Sequence, residues 1–363
     1  MNHGEFTRES AHRFGPSVAR RTDVVRRVSA GEPYSLDDGL GRRTIQNDGR
    51  TQIEVLDLEP ALAEEPIVEE AIRERASRHA DLDTRSFAPV RRIERTAHSL
   101  QIVSELPAGV RLSRLLEYLE ATGEVAAESA ILELSSLVIN VVASLHAWPG
   151  GLAHGAINPS HVLLTDDGRV MLTDGVFGAG LEVLECNREA LWKEFRLAMP
   201  AAASVARFDQ QADVTQMGAL ILALILQRPL RATDYPRGIA DLVVNATEST
   251  SSPAGKGAMS ALRMWLQEAL QIHPRLAFRS AVEAQRAFAD VVSGQAYRRA
   301  GTTALQMLLR TTLGEPPNQP TIVVRPQEPM PLGPQRATRT PPIARPEAAS
   351  PFDSIFRAIF QKH

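Results

Sequence analysis

The sequence predicts an α+β fold with two lobes, a small one rich in strands and a larger one that is helical. In the first third, strands are predicted over Thr51–Leu58 and Leu100–Leu106, with a helix over Pro66–Arg78 between them. Further on, apolar residues recur at helical spacing, as in Ile131, Leu134, Val138, Val141 and Leu145. Strands followed by helices, rather than alternating with them, are typical of an α+β arrangement.

One strand pair interrupts the helical part. The segments 162–165 (VLLT) and 169–173 (RVMLT) flank Asp166-Asp167-Gly168, and an Asp-Gly pair favours a tight hairpin turn. Turn chemistry accounts for both aspartates, so we do not assign either a catalytic role. Beyond the hairpin, Met217–Leu226 is apolar throughout but only ten residues long, about half of the ~20 residues that a membrane span needs. It is interpreted as a helix buried inside a globular domain.

Composition excludes several classes of protein. Among 363 residues, 40 Lys and Arg stand against 43 Asp and Glu, which gives a net charge of −3 and argues against a basic nucleic-acid binder. The single cysteine, Cys186, excludes a disulfide framework and any site with several Cys ligands. The first residues lack the apolar core of a signal peptide. A cytoplasmic protein without a membrane span is expected.

The chain divides into six predicted parts. Residues 1–30 are polar and Arg-rich and are predicted to form a flexible leader. The smaller lobe spans 34–106, the larger lobe 107–292, and a helical extension 293–313. The segment 315–351 holds 11 of the 24 prolines, which predicts an extended linker. Residues 350–361 are predicted to form a short amphipathic helix whose apolar face consists of Phe352, Ile355, Phe356 and Ile359.

Three motifs occur in a fixed order around the hairpin. His154-Gly155-Ala156-Ile157-Asn158-Pro159-Ser160-His161 precedes the first strand, Thr173-Asp174-Gly175 follows the second, and Asp213 stands five residues before Gly218. They resemble the HRDLKPxN catalytic loop, the DFG segment and the DxxxxG helix of protein kinases, in particular the bacterial Ser/Thr type. Ala198-Met199-Pro200 and His273–Ser280 resemble the APE segment and a later segment with a structural Arg. The resemblance covers residues 34–292 and implies a two-lobed, protein-kinase-like fold.

The resemblance implies that five residues are architectural. In this family, counterparts of His154 and Asp213 brace the catalytic loop, and counterparts of Pro159, Gly218 and Arg279 shape the larger lobe.

The resemblance fails at the positions that carry kinase chemistry. The catalytic Asp, which accepts the substrate hydroxyl proton, is replaced by Ala156. The metal-binding Asn is replaced by His161, and imidazole is a poor ligand for Mg²⁺. The strand Lys that should contact phosphate aligns with Glu54, a carboxylate that would face an anion. No catalytic residue is therefore predicted to be intact.

The nucleotide-binding positions are also altered. The catalytic-loop Lys falls on Ile157 or Asn158, depending on register, and neither carries a positive charge. Asp38-Gly39-Leu40-Gly41 is the nearest approach to a Gly-rich loop, and Pro107 lacks the N–H that would bond adenine.

Asp174 is kept and is the candidate metal ligand, although a lone carboxylate at a strand end more often caps a turn. Asp174 and Glu105 are the candidates for contact with a cofactor. A zinc site at His154 and His161 would lack a third ligand. The sequence predicts that no cofactor is required and that ATP with Mg²⁺ binds weakly if it binds.

Three hypotheses follow from this pattern. The leading one is a catalytically inactive kinase-like protein, a pseudokinase, that serves as a regulatory or scaffolding module for a protein partner. The apolar face of 350–361 would dock either on its own body or on that partner. The alternative is a divergent kinase that uses Asp174 with a cation from Arg42, Arg43 or Arg73. A nucleotide sensor is the third, and Glu54 and Pro107 argue against it.

Overall fold

The computed structural model describes residues 31–48, 51–96, 99–201, 206–248, 253–292 and 295–313. The predicted leader 1–30, the linker 315–351 and the amphipathic segment 350–361 lie outside the described residues, so those predictions stay predictions.

The smaller lobe is built on one antiparallel sheet of five strands in the order β1-β2-β3-β5-β4. Two helices, α1 (Pro60–Ala63) and α2 (Pro66–Arg78), connect the third strand to the fourth. The strands are β1 (Pro33–Ser35), β2 (Gly41–Asp48), β3 (Thr51–Leu58), β4 (Val90–Arg95) and β5 (Leu100–Leu106). In β3 the buried side chains are those of Glu54, Leu56 and Leu58. Because strand side chains alternate between faces, Glu54 lies on the apolar side of the sheet.

The larger lobe carries a second, three-stranded sheet in the order β6-β7-β8 and most of the helices. The predicted Asp-Gly hairpin is present as β7 and β8. The elements are β6 (Gly109–Arg111), α3 (Leu112–Thr122), α4 (Glu128–His146), β7 (Val162–Thr165), β8 (Val170–Leu172), α5 (Phe177–Glu182), α6 (Arg188–Phe195), α7 (Gln210–Leu226), α8 (Ile239–Glu248), α9 (Pro253–Ala269), α10 (Ala281–Val291) and α11 (Gln295–Leu313).

Two apolar helices form the core of the larger lobe. Helix α7, which contains the predicted Met217–Leu226, is buried on every side from Ala212 to Leu224. Helix α4 is long and apolar enough to span a membrane, but most of its apolar window is buried inside the fold. It contains the buried His146, whose Nε2 lies 2.9 Å from Asp213 Oδ2. Helix α4 is therefore a core helix of this lobe.

Helix α11 follows the kinase-like part of the sequence and packs against α4. A Cβ at Gly301 would lie 2.9 Å from the carbonyl oxygen of Ser129, so the two helices touch at backbone distance. Leu305, Leu308 and Leu309 of α11 join the main apolar core. The helix at the end of the described chain thus belongs to the folded body.

Candidate functional site

Six ionisable side chains meet between the two lobes, where β2, β3, β6 and the loops before β7 and after β8 converge. All six are buried, with at most 8% of each residue exposed. We call this group the cleft cluster; its members are Asp38, Arg43, Glu54, Arg111, His161 and Asp174.

Arg43, on β2, is the centre of the cleft cluster and is fully buried. Its Nη2 donates to Asp38 Oδ2 at 2.7 Å, and its Nη1 donates to Glu54 Oε1 at 2.8 Å and to Asp174 Oδ1 at 3.0 Å. In the sheet register Arg43 is opposite Leu56, two residues from Glu54 on the same face, which places the two charges diagonally across the strand pair. One guanidinium thus binds three carboxylates from three parts of the chain.

Arg111, at the end of β6, completes the pairing from the other side. Its Nη2 lies 2.8 Å from both carboxylate oxygens of Glu54, and its Nη1 lies 3.2 Å from Asp174 Oδ2. The same Nη1 donates to the carbonyl oxygen of Ser160 at 2.9 Å and to Thr173 Oγ1. Tyr34 donates its hydroxyl to Glu54 as well. Arg111 therefore ties the smaller-lobe sheet to both loops of the larger lobe.

His161 is the sixth member of the cluster. Its Nδ1 lies 2.6 Å from the carbonyl oxygen of Ala156, and its Nε2 lies 3.1 Å from Asp38 Oδ2. The imidazole therefore links the loop before β7 to the turn that carries Asp38. The cleft cluster as a whole joins two arginines and one histidine to three carboxylates.

The charges hold one another in the ionised state. Burial alone would raise the pKa of Asp38, but attraction to Arg43 and the hydrogen bond from His161 outweigh it and lower the pKa to about 2. Burial opposes ionisation of Asp174 too, yet Arg43 and His161 hold its pKa well below the usual range. The pKa of Glu54 is lowered in the same way, against burial, by Arg111 and Arg43. These carboxylates stay charged although they are removed from water.

This arrangement does not fit a magnesium–nucleotide complex. Mg²⁺ binds through oxygen ligands, but both oxygens of Asp174 already accept hydrogen bonds from arginines. In an active kinase the strand Lys pairs with a Glu of the following helix. Here the strand position is occupied by Glu54, an acid, so the pair between a strand Lys and a helix Glu cannot form. Glu69, in the first turn of α2, pairs instead with Arg73 and Arg95. Among the described residues, no group of three or more His, Cys, Asp and Glu side chains is placed to hold a metal ion.

The turn between β1 and β2 closes the cleft from above. A Cβ at Gly39 would lie 2.4 Å from the carbonyl oxygen of Glu194, so this turn packs directly on α6 of the larger lobe. Beside it, Arg196 Nε donates to Asp37 Oδ2 at 2.8 Å. The loop that cradles phosphate in an active kinase carries an acid inward here and touches the opposite lobe.

The loop before β7 is braced from below by α7. The two oxygens of Asp213 accept the backbone N–H groups of His154 at 2.7 Å and Gly155 at 2.6 Å. Gln216 accepts the N–H of Ile157 and donates to the carbonyl oxygen of Gly155. His154 Nε2 lies 3.0 Å from the carbonyl oxygen of Thr173, and burial lowers the pKa of His154 to about 4, so the ring is neutral. The loop is held in place although its catalytic side chain is missing.

The two residues onto which the family's Lys could fall are both buried in this loop, and the side chain of Asn158 is used structurally. Asn158 caps the 3₁₀ turn Pro159–His161 and donates to the carbonyl oxygen of Phe195 at 3.1 Å. Ala156, in place of the catalytic Asp, is fully buried in an apolar cluster with Val176 and Phe177. The Ala156 side chain is therefore packed in the apolar core. Asp174 has a φ of +65°, a left-handed conformation that its hydrogen bonds hold in place.

Two predicted site residues are found outside the cleft. Glu105 is opposite Ile53 in the sheet, on the other face from Glu54, and its carboxylate pairs with Arg91 at the surface, away from the cleft cluster. Arg279 was predicted to be architectural, but it is exposed and makes no ion pair within the described part of the chain. By contrast, Gly218 is in close contact with α9, because a Cβ there would lie 3.1 Å from Ala269 Cβ.

Sequence reasoning missed the residues that fill the cleft. Asp38 was noted only as part of a turn, Arg43 only as one of three possible cations, and Arg111 and Tyr34 not at all. A pattern signal did exist for Arg43, since an Arg inside an otherwise apolar strand face, next to a misplaced Glu, indicates a buried ion pair. Nothing in the local sequence marks Arg111, which comes from a distant strand.

Comparison with solved structures identifies the fold. The kinase domain of maize SIRK1 (sucrose-induced receptor kinase 1), bound to AMP-PNP, matches with a TM-score of 0.52 and 17% identity, over 72% of this chain and 92% of that chain. The kinase domain of Mycobacterium tuberculosis PknI, a double mutant, matches with a TM-score of 0.50 and 17% identity, over 72% and 93%. No protein-family model and no curated protein matches the sequence. The resemblance found in the motifs is thereby confirmed at the level of architecture: this chain has the protein-kinase fold.

Proposed function

We propose that this protein is a pseudokinase, a catalytically inactive protein-kinase fold that acts as a regulatory or scaffolding module by binding another protein. The observation that carries the proposal is the cleft cluster. Arg43 and Arg111 occupy the carboxylates that would hold metal, and Asp38 and Glu54 stand where phosphate would be bound. A network in which both arginines already pair with carboxylates of the same chain leaves neither arginine free to attract an anionic nucleotide.

The loss of the catalytic base supports the same proposal. Phosphoryl transfer needs a carboxylate to orient and accept the substrate hydroxyl proton. Ala156 has none, and its neighbours Val176 and Phe177 leave an apolar surrounding. With neither base nor metal ligands available, binding is the activity that the fold can still perform. The net charge of −3 favours a protein partner over nucleic acid.

The proposal is tested by titrating the full-length protein with ATP in a calorimeter, with and without Mg²⁺. We expect no saturable heat at millimolar ATP. Saturation below about 100 μM, which corresponds to about −5.5 kcal/mol, would contradict a sealed cleft. A parallel assay follows transfer of labelled phosphate to the protein itself and to a generic basic protein, and we expect no incorporation.

A divergent kinase is the second candidate, because Arg43 places a cation against Asp174 much as the missing Lys would. If this candidate is correct, labelled phosphate is transferred and Asp174→Asn abolishes the transfer. The matched control is Asp290→Asn, an exposed carboxylate on α10, which should leave the rate unchanged. Restoring the base with Ala156→Asp should then raise the rate, whereas in the pseudokinase it yields no activity.

A further inference from the structure

A second concave site lies in the larger lobe, between α3, α6, α7 and the loop before β7. It has a volume of about 140 Å³. Its floor is apolar and consists of Ile157, Trp192, Ala198, Ala219, Leu220 and Ala223. We call it the α3–α7 pocket. A volume of this size is larger than that of ordinary packing defects, and the apolar floor can accept a small apolar group.

Two polar atoms at this pocket lack partners. Ser113 Oγ and Arg196 Nη1 belong to lining residues and are buried, and neither makes a hydrogen bond within the described residues. Arg196 adopts a left-handed backbone conformation, with a φ of +55°, at the end of α6. Its Nε is already bound by Asp37, but its Nη1 remains available. Buried donors are almost always satisfied in native proteins, so their presence here points to a ligand with an acceptor group.

We propose that the α3–α7 pocket is filled by the chain's own segment 350–361, with the ring of Phe356 in the pocket and Asp353 on Arg196. The size fits, because a cavity of about 150 Å³ holds a benzene molecule. The two acids of the lining are already paired, Asp37 with Arg196 Nε and Glu117 with Arg114. Arg196 Nη1 is thus the donor left for Asp353, the one acidic residue of 350–363. Residues three apart share a helix face, so a helix over this segment presents Asp353 and Phe356 to the same surface.

The length of the chain allows this contact. Helix α11 ends at Leu313, and 36 residues separate it from Ser350. Extended Pro-rich chain spans about 3.1 Å per residue, or about 110 Å in all, whereas a folded body of roughly 280 residues has a radius of gyration of about 19 Å. The segment can reach any face of its own body, and tethering raises its effective concentration above that of a free partner. The proposal does not depend on whether the cleft binds nucleotide.

The test uses the full-length protein with 4-fluorophenylalanine in place of Phe356, observed by fluorine NMR. We expect a broad, shifted line whose shape does not change on tenfold dilution. Ala223→Leu, which fills the pocket from α7, should convert it to a narrow line at the position of a free peptide. The matched control is Ala121→Leu at an exposed position of α3, which should leave the broad line unchanged.

A second variant guards against loss of folding in the body. Asp353→Lys lies in the tail, so it cannot create a packing defect in the pocket, and it should also narrow the line, while Asp353→Glu should keep it broad. A narrow line in the parent protein would overturn the proposal. So would a broad line that survives both Ala223→Leu and Asp353→Lys, because the ring would then be bound elsewhere. A line that narrows on dilution would assign the pocket to the tail of a second copy and would equally overturn docking within one chain.

Discussion

Replacing Arg43 by methionine tests whether the cleft cluster holds the two lobes together. Methionine keeps an unbranched side chain of similar length and removes the charge. Asp38, Glu54 and Asp174 then share Arg111 as the one arginine of the cluster, so at least one buried carboxylate is left without a counter-charge. We expect a large loss of folding stability, because an uncompensated charge in an interior costs far more than the pair contributes.

The size of the effect follows from the contacts. Arg43 makes three charge-assisted hydrogen bonds, at 2.7, 2.8 and 3.0 Å. At about 1.5–3 kcal/mol each these give an upper bound of about 5–9 kcal/mol. Relaxation and proton uptake by a carboxylate reduce this, and breaking a buried pair typically costs about 3–5 kcal/mol. We therefore expect Arg43→Met to lower the unfolding free energy by about 3–5 kcal/mol at pH 7.

Urea unfolding followed by circular dichroism measures this loss, with the slope against urea as a check that the unfolded state is unchanged. The decisive comparison is the double variant Arg43→Met with Asp38→Asn, which removes one charge of each sign. It should be more stable than Arg43→Met alone by at least about 1 kcal/mol, the coupling expected of contacting residues. The reasoning is refuted if the single variant loses less than about 1 kcal/mol, or if the double variant is no more stable than the single.

Two further results are expected. Acidification should weaken the fold. Burial lowers the pKa of His154 to about 4 and that of His79 to about 3, against an ordinary 6.5, so the stability they contribute is complete above pH 6.5 and at least about 3 kcal/mol is lost as the pH falls towards 4. Below the ordinary value of 3.8 the depressed pKa of Asp38, about 2, adds a further loss; urea titrations that are flat from pH 7 to 2 would contradict the whole argument. Gly155→Ala should cost about 2–4 kcal/mol by thermal or urea unfolding, because its φ is +77° and a Cβ would lie 2.8 Å from Gly178 Cα. Gly168→Ala, with a φ of +82° and open space around it, should cost only about 1–2 kcal/mol, and equal costs would argue against the close contact at Gly155.

Periodicity and motif order predicted most of the fold correctly. The predicted strands Thr51–Leu58 and Leu100–Leu106 and the helix Pro66–Arg78 have the same bounds in the structure. These elements are decided locally, by alternating burial in the strands and by Pro66 at the first helical turn. The kinase-like order of the elements was inferred from two loop motifs, and the hairpin between them sets their spacing. Both the periodicity and the motifs can be recognised within short stretches of sequence.

The contents of the cleft could not be predicted in the same way. The ion pair between Arg111 and Glu54 joins residues 57 positions apart, and the pair between Arg43 and Asp174 joins residues 131 apart. Which of Arg42 and Arg43 points inward depends on the pairing of β2 with β3, in which Arg43 is opposite the buried Leu56 and Arg42 is opposite Asp57. Arg279 was matched to a motif, but a motif match does not determine burial, and this residue is exposed.

The substitutions in the cleft form one interlocked structure rather than a series of independent losses. Glu54 at the Lys position would be a buried, unpaired acid without Arg43 and Arg111, and His161 at the Asn position is held by Asp38 from the turn that would otherwise cover phosphate. In an active kinase the charges at this place are supplied by Lys, metal and nucleotide phosphate. Here the chain itself supplies two arginines and three carboxylates, and every carboxylate is within 3.2 Å of an arginine nitrogen. A ligand could enter only by separating pairs that are already desolvated, at the cost of exposing both members. The residues that differ from the kinase motifs therefore pair with one another across the cleft and link the two lobes.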